Sequence, residues 1–237
     1  MVSIASPRLK TCVYIDGFNL YYGLYKHPAP ANWKYCKWLD LERFCDQLLP
    51  HNDVVSIKYY TAIVRNMPPD YQQKRRQLRY LKALRTLPRV EVILGHFIGP
   101  NPRRMHRCDS DGHPCGYNVY VLKTEEKGSD VNLAVDLLHD GVRKLYQCAV
   151  VISNDSDLAR AIKIARYEYN RTIGIVNPHK HHKPMSHDLA LLKHFERTIT
   201  AGTLAASQLP DQVVTPSGPV SRPTEWALPA PPPASAP

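Results

Sequence analysis

Short apolar segments alternate with helix-patterned ones along most of this chain, and that alternation limits the architectures open to it. CVYID (12–16), VVSIKYYTAIV (54–64), VEVILGHF (90–97), CAVVIS (148–153) and RTIGIV (171–176) are apolar and rich in β-branched residues, and each reads as a strand. Between them, LDLERFCDQLL (39–49), DYQQKRRQLRYLKALRTL (70–87), SDVNLAVDLLHDGVRKL (129–145), DLARAIKIARYE (157–168) and HDLALLKHF (187–195) carry helical spacing. This order predicts a three-layer α/β/α, Rossmann-like domain with a mostly parallel central sheet. Asp40 is placed to cap the first of these helices. In the second, Leu78, Leu81 and Leu84 are expected to face the core. In the third, Val131, Ala134, Val135, Leu138, Val142 and Leu145 form one apolar stripe. Residues 99–118 read as a loop or insert, and YVLKTEE (120–126) as a further extended piece.

The 237 residues divide at about Ala201. Residues 1–200 are expected to form the folded domain. Residues 201–237 are rich in Pro, Ala and Ser without periodicity, a composition expected to stay disordered. Trp226 within that tail is either an idle aromatic or a docking residue for a partner. No apolar run approaches the roughly 18 residues that span a bilayer. With no charged-then-apolar leader at the N-terminus, the chain is expected to be cytoplasmic, away from membranes, with its six cysteines reduced.

The chain carries a net charge of +10, unusual for a soluble metabolic enzyme. Twelve Lys and Arg lie between Lys58 and Arg107 against two acids, Asp70 and Glu91, so this stretch alone accounts for the excess. Such a balance favours a polyanionic partner. Lys74, Arg75, Arg76, Arg79 and Lys82 populate one face of the helix pattern at 70–87, suited to a phosphate backbone and to salt-sensitive, sequence-independent binding. RNA is the expected partner, single-stranded or looped, with DNA as the alternative. The sequence leaves the oligomeric state open.

In a parallel α/β sheet the functional edge lies outside the carboxyl ends of the strands. Asp16 ends the first strand, in VYIDGFNLYY (13–22). Asp155 and Asp157 follow CAVVIS. Asp130 opens the helix at 129–145, whose start is expected at the same edge. Carboxylates gathered at close range conflict unless a cation lies between them. Oxygen donors suit Mg²⁺ or Mn²⁺. Each acid except Asp16 can also be read as a helix cap; no helix is expected directly after Asp16. Asn19 is positioned to orient a carboxylate or a metal-bound water, and Ser153 to support the site or meet the nucleic acid. Lys127 can face a scissile phosphate or balance Glu125 and Glu126. Asp136, six residues after Asp130, is a weaker candidate.

YIDGFNLYY, EEKGSDVNLAVDLL and VVISNDSDLARAIKIAR, in this order, resemble the three signature segments of the NYN domain family within the PIN-like nuclease superfamily, with the LabA-like branch as the nearest likeness. The resemblance runs from about Lys10 to Thr200. It implies a PIN-like α/β/α fold and a metal-dependent ribonuclease with an acidic Mg²⁺ or Mn²⁺ site. Residue by residue it implies Asp16 and Asn19 in the first motif, Asp130 in the second, and Asp155 and Asp157 in the third. Asn154 stands where the family often has Gly. The chemistry expected is endoribonuclease-like hydrolysis leaving 5′-phosphate and 3′-hydroxyl ends. The alternative is a nucleic-acid-binding regulatory module with a weak or inactive site.

Other chemistries fit less well. A haloacid-dehalogenase-type phosphatase wants a second acid two residues after Asp16, where Phe18 stands. A glycosyltransferase could use Asp155–x–Asp157 but leaves Asp16 and the basic helix unexplained. No Gly-x-Gly-x-x-Gly follows any strand. His106, Cys108, His113 and Cys115 can in principle hold Zn²⁺, although their spacing is not that of a short zinc knuckle. NPHKHHKP (177–184) brings imidazoles towards the functional edge, where they form a solvated loop or meet phosphate or metal. Tyr21, Tyr22, Tyr25, Trp33 and Trp38 follow the first acid, either to stack on unpaired bases or to pack in the core.

Overall fold

The computed structural model describes residues 7–26, 31–66, 69–108 and 113–227, with residues 31–32, 98–108 and 114–125 described by their backbone. Six strands form one parallel sheet: β1 (Leu9–Asp16), β2 (Asn52–Thr61), β3 (Val90–Leu94), β6 (Cys148–Ile152), β7 (Thr172–Val176) and β8 (Phe195–Arg197). Their spatial order is β3-β2-β1-β6-β7-β8, so the chain winds outwards from β1 in one direction and then restarts beside it in the other. The reversal falls between β1 and β6, where Ile15 pairs with Ile152. That is the topological switch point at which open α/β sheets leave a crevice beyond their strand ends.

Alternation along the central strands builds two cores. Val13 and Ile15 of β1 and Cys148, Val150 and Ile152 of β6 face one layer, made by α1 (Gly17–Tyr25), α2 (Leu41–Leu48) and α3 (Gln73–Leu84). Cys12, Tyr14, Ala149 and Val151 face the other, made by α4 (Ser129–Val142), α5 (Ala159–Tyr167) and α6 (His187–Leu192). Residues buried on both faces are what a covered parallel sheet requires. Asp40 caps α2 as expected, accepting from the backbone N–H of Glu42 and Arg43 at 3.0 Å each.

Four expectations are corrected. A helix does start directly after Asp16: α1 begins at Gly17, and Asp16 is its cap, accepting from the backbone N–H of Asn19 at 2.9 Å. Gly17 makes this possible, because a Cβ there would lie 2.6 Å from Tyr60 O. In α3, Leu81 and Leu84 are buried but Leu78 is exposed.

In α4 the buried residues include Leu133, Leu137 and Asp140, whereas Val131, Val135 and Val142 of the expected stripe are exposed. Polar groups on the sheet select this face. Tyr60 Oη donates to Asp136 at 2.9 Å, Tyr14 Oη donates to Asp140 at 2.8 Å, and Lys58 pairs with Asp140 at 2.8 Å. Asp136 is thereby accounted for structurally.

The expectation of a disordered tail from Ala201 fails over residues 201–227. They form α7 (Ala201–Ala206), a hairpin of β9 (Gln212–Thr215) and β10 (Gly218–Ser221), and a single 3-10 turn at Thr224–Trp226. Leu204, Leu209, Val213 and Val220 join the first core, and Trp226 packs on Trp38 and Tyr80 at ring distances of 6.3 and 6.2 Å. Trp226 is thus an internal packing residue. The insert between β3 and α4 is an antiparallel hairpin, β4 (His96–Cys108) with β5 (Pro114–Lys127). Among the described residues, no helix is long and apolar enough to cross a membrane.

Candidate active site

The carboxyl end of β1 and the loop after β6 meet at the switch point. Asp16 is 4% exposed. Its Oδ1 accepts from Asn19 N at 2.9 Å and its Oδ2 from Ser153 Oγ at 3.0 Å. Burial pushes the Asp16 carboxyl up from its usual range. The two hydrogen bonds pull it back and the charge of Asp155 adds to the rise. Ser153 Oγ also accepts from Asp155 N at 3.1 Å, so one hydroxyl ties two acid-bearing segments together. Asp155 in turn accepts from Asp157 N at 3.0 Å and caps the 3-10 turn Ser156–Leu158.

Asp130 comes from the opposite layer. Gly128 adopts φ +98°, which turns the chain out of β5 and into α4. Glu126 then accepts from Ser129 N at 3.1 Å and Ser129 Oγ at 2.7 Å, closing the first turn. Asp130 in that turn has its carboxyl pushed up to about 6, first by burial and then by the charges of Asp16, Asp155, Glu126 and Asp157. Asp16, Asn19, Glu126, Asp130, Asp155 and His179, with Phe18 and Tyr22, line one open depression of about 220 Å³.

The residues singled out from the sequence are placed unequally. Asp16, Asp130, Asp155 and Asn19 share the depression, while Asp157 is exposed beside it and acts on Asp130 by its charge. The Asn19 side chain accepts from Asn154 N at 3.0 Å, so its carbonyl holds the loop and is not turned to a water. Asn154 bonds Pro184 O and Ser186 N, anchoring the His-rich loop. Ser153 is fully buried and does not present a surface to nucleic acid; it holds Asp16.

Lys74, Arg75 and Lys82 are exposed on α3, and Arg79 is half-buried. Arg76 is committed to Asp70 and, at 2.8 Å, to Glu225. Lys127 is exposed next to Glu126. Trp33 and Trp38 are core residues, whereas Tyr22 is 53% exposed at the rim. The side chains of His106, Cys108 and Cys115, needed for the zinc reading, lie outside the described residues.

Glu126 was not singled out as a site residue from the sequence, and His179 was singled out only as one imidazole of the 177–184 stretch. Glu126 lies before Ser129, the reverse of the capping-box order, so its contact with the start of α4 is visible only in the fold. His179 comes to the depression from the loop after β7, with its imidazole Nδ1 3.1 Å from His182 Nε2. Burial and the neighbouring His182 and Lys183 hold its pKa below the usual range.

Residues 10–190 match the NYN domain. The chain belongs to the NYN domain family. That family sits within the PIN-like nuclease superfamily, and the six-stranded parallel sheet is its architecture here. Among curated proteins, the chain is 33% identical over 247 residues to 6-hydroxy-3-succinoylpyridine 3-monooxygenase HspA of Pseudomonas putida (strain DSM 28022 / S16). That match covers 93% of this chain and 76% of the relative. Among solved structures, a protein of unknown function from Vibrio parahaemolyticus is similar with a TM-score of 0.49 at 20% identity, over 85% of this chain and 98% of that one.

The donors in the depression are carboxylate oxygens, the chemistry that Mg²⁺ and Mn²⁺ favour. Asp130 is raised first by burial and then by the neighbouring acids, and a dication relieves that second, repulsive part. Among the described residues, no three Asp, Glu, His or Cys side chains are drawn tightly enough to enclose a metal ion. An open set of this kind fits an ion that keeps several of its waters and takes one or two carboxylates, as Mg²⁺ does.

Proposed function

We propose that this NYN protein is a metal-dependent ribonuclease that hydrolyses phosphodiester bonds in single-stranded or looped RNA. The observation that carries the reading is the convergence of Asp16, Asp130 and Asp155, from three segments, on one depression at the switch point. Asp16 and Asp155, supported by Asp130, would hold Mg²⁺ or Mn²⁺. A bound ion would polarise the phosphoryl oxygens and lower the pKa of an attacking water.

The chain's own contribution is placement. Ser153 and the N–H of Asn19 fix both oxygens of Asp16. The first turn of α4, closed by Glu126, fixes the backbone beside Asp130. His179, at the depression with its pKa held below the usual range, offers an imidazole that can accept a proton from the attacking water. Lys74, Arg75 and Lys82 on α3 would bind the phosphate backbone leading to the site.

The test is cleavage of end-labelled RNA with Mn²⁺, comparing the wild type with Asp16→Asn. Asn caps a helix about as well as Asp, so α1 should survive the change. Cleavage should fall by about 100-fold or more in the variant. RNA binding without cleavage in both proteins would instead support a nucleic-acid-binding module with an idle site.

A second reading has its own support in the Pseudomonas putida relative, whose name describes oxygenation of a hydroxylated pyridine. Incubating the chain with 6-hydroxy-3-succinoylpyridine, O₂ and a reduced nicotinamide, and following ring hydroxylation, tests it directly. Product formation that exceeds RNA cleavage would displace the ribonuclease reading.

A further inference from the structure

Beside the acidic depression, and sharing Phe18, Tyr22 and Glu126 with it, lies a larger cavity of about 490 Å³. Tyr21, Tyr25, Tyr59, Tyr80 and Trp226 line it. The hydroxyls of Tyr25 and Tyr80 donate to Cys36 O at 3.0 Å and Leu39 O at 2.9 Å. What these two side chains offer the cavity is therefore ring surface.

Three cations also reach the cavity: Lys37, Arg65 and Arg76. Arg76 is already engaged by Asp70 and Glu225. Lys37 has no carboxylate within 4.0 Å among the described residues. Its ammonium stands 5.3 Å from the Tyr21 ring centre and 5.9 Å from that of Tyr25. Burial and nearby cations hold its pKa below the usual range. An amine in that position gains from an acceptor atom or an anion brought in by a ligand.

From this arrangement we infer that the cavity is a binding site for one planar heteroaromatic ring carrying an acceptor or anionic substituent. The ring would lie among the Tyr21, Tyr25 and Trp226 side chains, and the substituent would meet Lys37. The volume is in the range of small-molecule sites, roughly 300–1,000 Å³. Aromatic walls beside Lys37, a cation without an ion-pair partner among the described residues, suit stacking of such a ring with one polar contact, while Asp70 and Glu126 on the same lining disfavour a ligand carrying more than one negative charge. Because the cavity opens beside the acids, a molecule seated in it presents its remainder to Asp16 and Asp130. The inference does not depend on the hydrolytic reading. The same chemistry is supplied by an unpaired nucleobase of a bound strand or by a free heteroaromatic acid.

Isothermal titration of the full chain in EDTA tests it, because binding is then read without metal or turnover. The probes are uridine 5′-monophosphate, adenosine 5′-monophosphate, pyridine-3-carboxylate and, as the ringless control, ribose 5-phosphate. At least one ring-bearing probe should bind about 10-fold or more tightly than ribose 5-phosphate. Tyr21→Ala and Lys37→Met should each weaken that probe by about 10-fold. Each variant is first checked for a wild-type melting transition, and the one that retains it decides. A preference for the nucleotides assigns the cavity to a bound strand, and a preference for the pyridine acid assigns it to a free small molecule; both support the site. Equal binding of ribose 5-phosphate, no ring binding, or affinity unchanged in a folded variant would overturn it. Failure of RNA cleavage with ring binding intact would count against the ribonuclease reading alone.

Discussion

Ser153 Oγ donates to Asp16 Oδ2 at 3.0 Å across 137 positions of sequence, inside a site where Ser153 is fully buried. The same oxygen accepts from Asp155 N at 3.1 Å, so a single hydroxyl sets the relation between the acid ending β1 and the acid following β6. Ser153→Ala removes both contacts and leaves one oxygen of a buried carboxylate short of a partner. The expected loss of stability is about 1–3 kcal/mol by urea denaturation. RNA cleavage should fall by about 10-fold or more at saturating substrate, because Asp16 is no longer held.

Asp130 supplies a pH signature. Its carboxyl lies at about 6, raised from 3.8 by burial and by surrounding acids. A carboxyl raised in the folded state favours folding most when protonated. Its contribution is therefore fully present below about pH 4 and is lost as pH rises through about 6. In EDTA near pH 8, Asp130→Asn should stabilise the chain. The full shift corresponds to about 3 kcal/mol, and partial exposure reduces the expected gain to about 1–2 kcal/mol. The gain should disappear below about pH 4, and melting curves at the two pH values check it. Added Mn²⁺ should raise the melting temperature of the wild type more than that of the variant.

The sequence was most readable where the cause is local. Asp40 could be identified as a cap because the residues it bonds lie two and three positions away. Asp16 could be placed at the end of a buried strand because Val13 and Ile15 precede it, although the helix after it escaped notice in an aromatic run. The face of α4 was different. Val131, Val135, Leu138, Val142 and Leu145 make a regular stripe, yet Leu133 and Leu137 are the buried pair. The choice was made by Tyr14, Lys58 and Tyr60 on distant strands, which need Asp136 and Asp140 as acceptors. Asn19 and Ser153 were legible as supporting groups, but their partners were not: only tertiary structure shows the Ser153 hydroxyl on Asp16 and the Asn19 carbonyl on the Asn154 N–H.

The basic helix separates into two kinds of cation. Lys74, Arg75 and Lys82 are exposed, whereas Arg76 is held by Asp70 and Glu225. Replacing the three exposed residues with Gln should weaken single-stranded RNA binding and flatten its salt dependence. The slope of log K against log salt should fall by about 2, at roughly 0.7 per lost phosphate contact. Arg76→Gln should leave that slope nearly unchanged and lower the thermal stability, since its partners bridge α3 to the C-terminal segment. Fluorescence anisotropy over a salt series, with melting curves on the same proteins, distinguishes the two.

The C-terminal segment makes the strongest claim on stability. Leu204, Leu209, Val213 and Val220 are each buried to 8% exposure or less within the first core. The backbone reinforces them: Trp38 Nε1 donates to Pro210 O at 2.8 Å, Leu209 N to Trp38 O at 2.9 Å, and Asp40 N to Ser207 O at 2.8 Å. Four buried aliphatic chains are each worth about 1.5–3 kcal/mol, a total that approaches the whole stability of a typical domain, about 5–15 kcal/mol. A chain ending at Thr200 keeps all six strands of the central sheet but exposes Trp38, Leu39 and Tyr80. It should therefore lose cooperative unfolding or become insoluble. Trp226→Ala in the full chain should keep the fold and lose about 1–3 kcal/mol, because Trp226 is only partly buried. A truncated chain with the wild-type urea midpoint would show that the tail packs on the domain without supporting it.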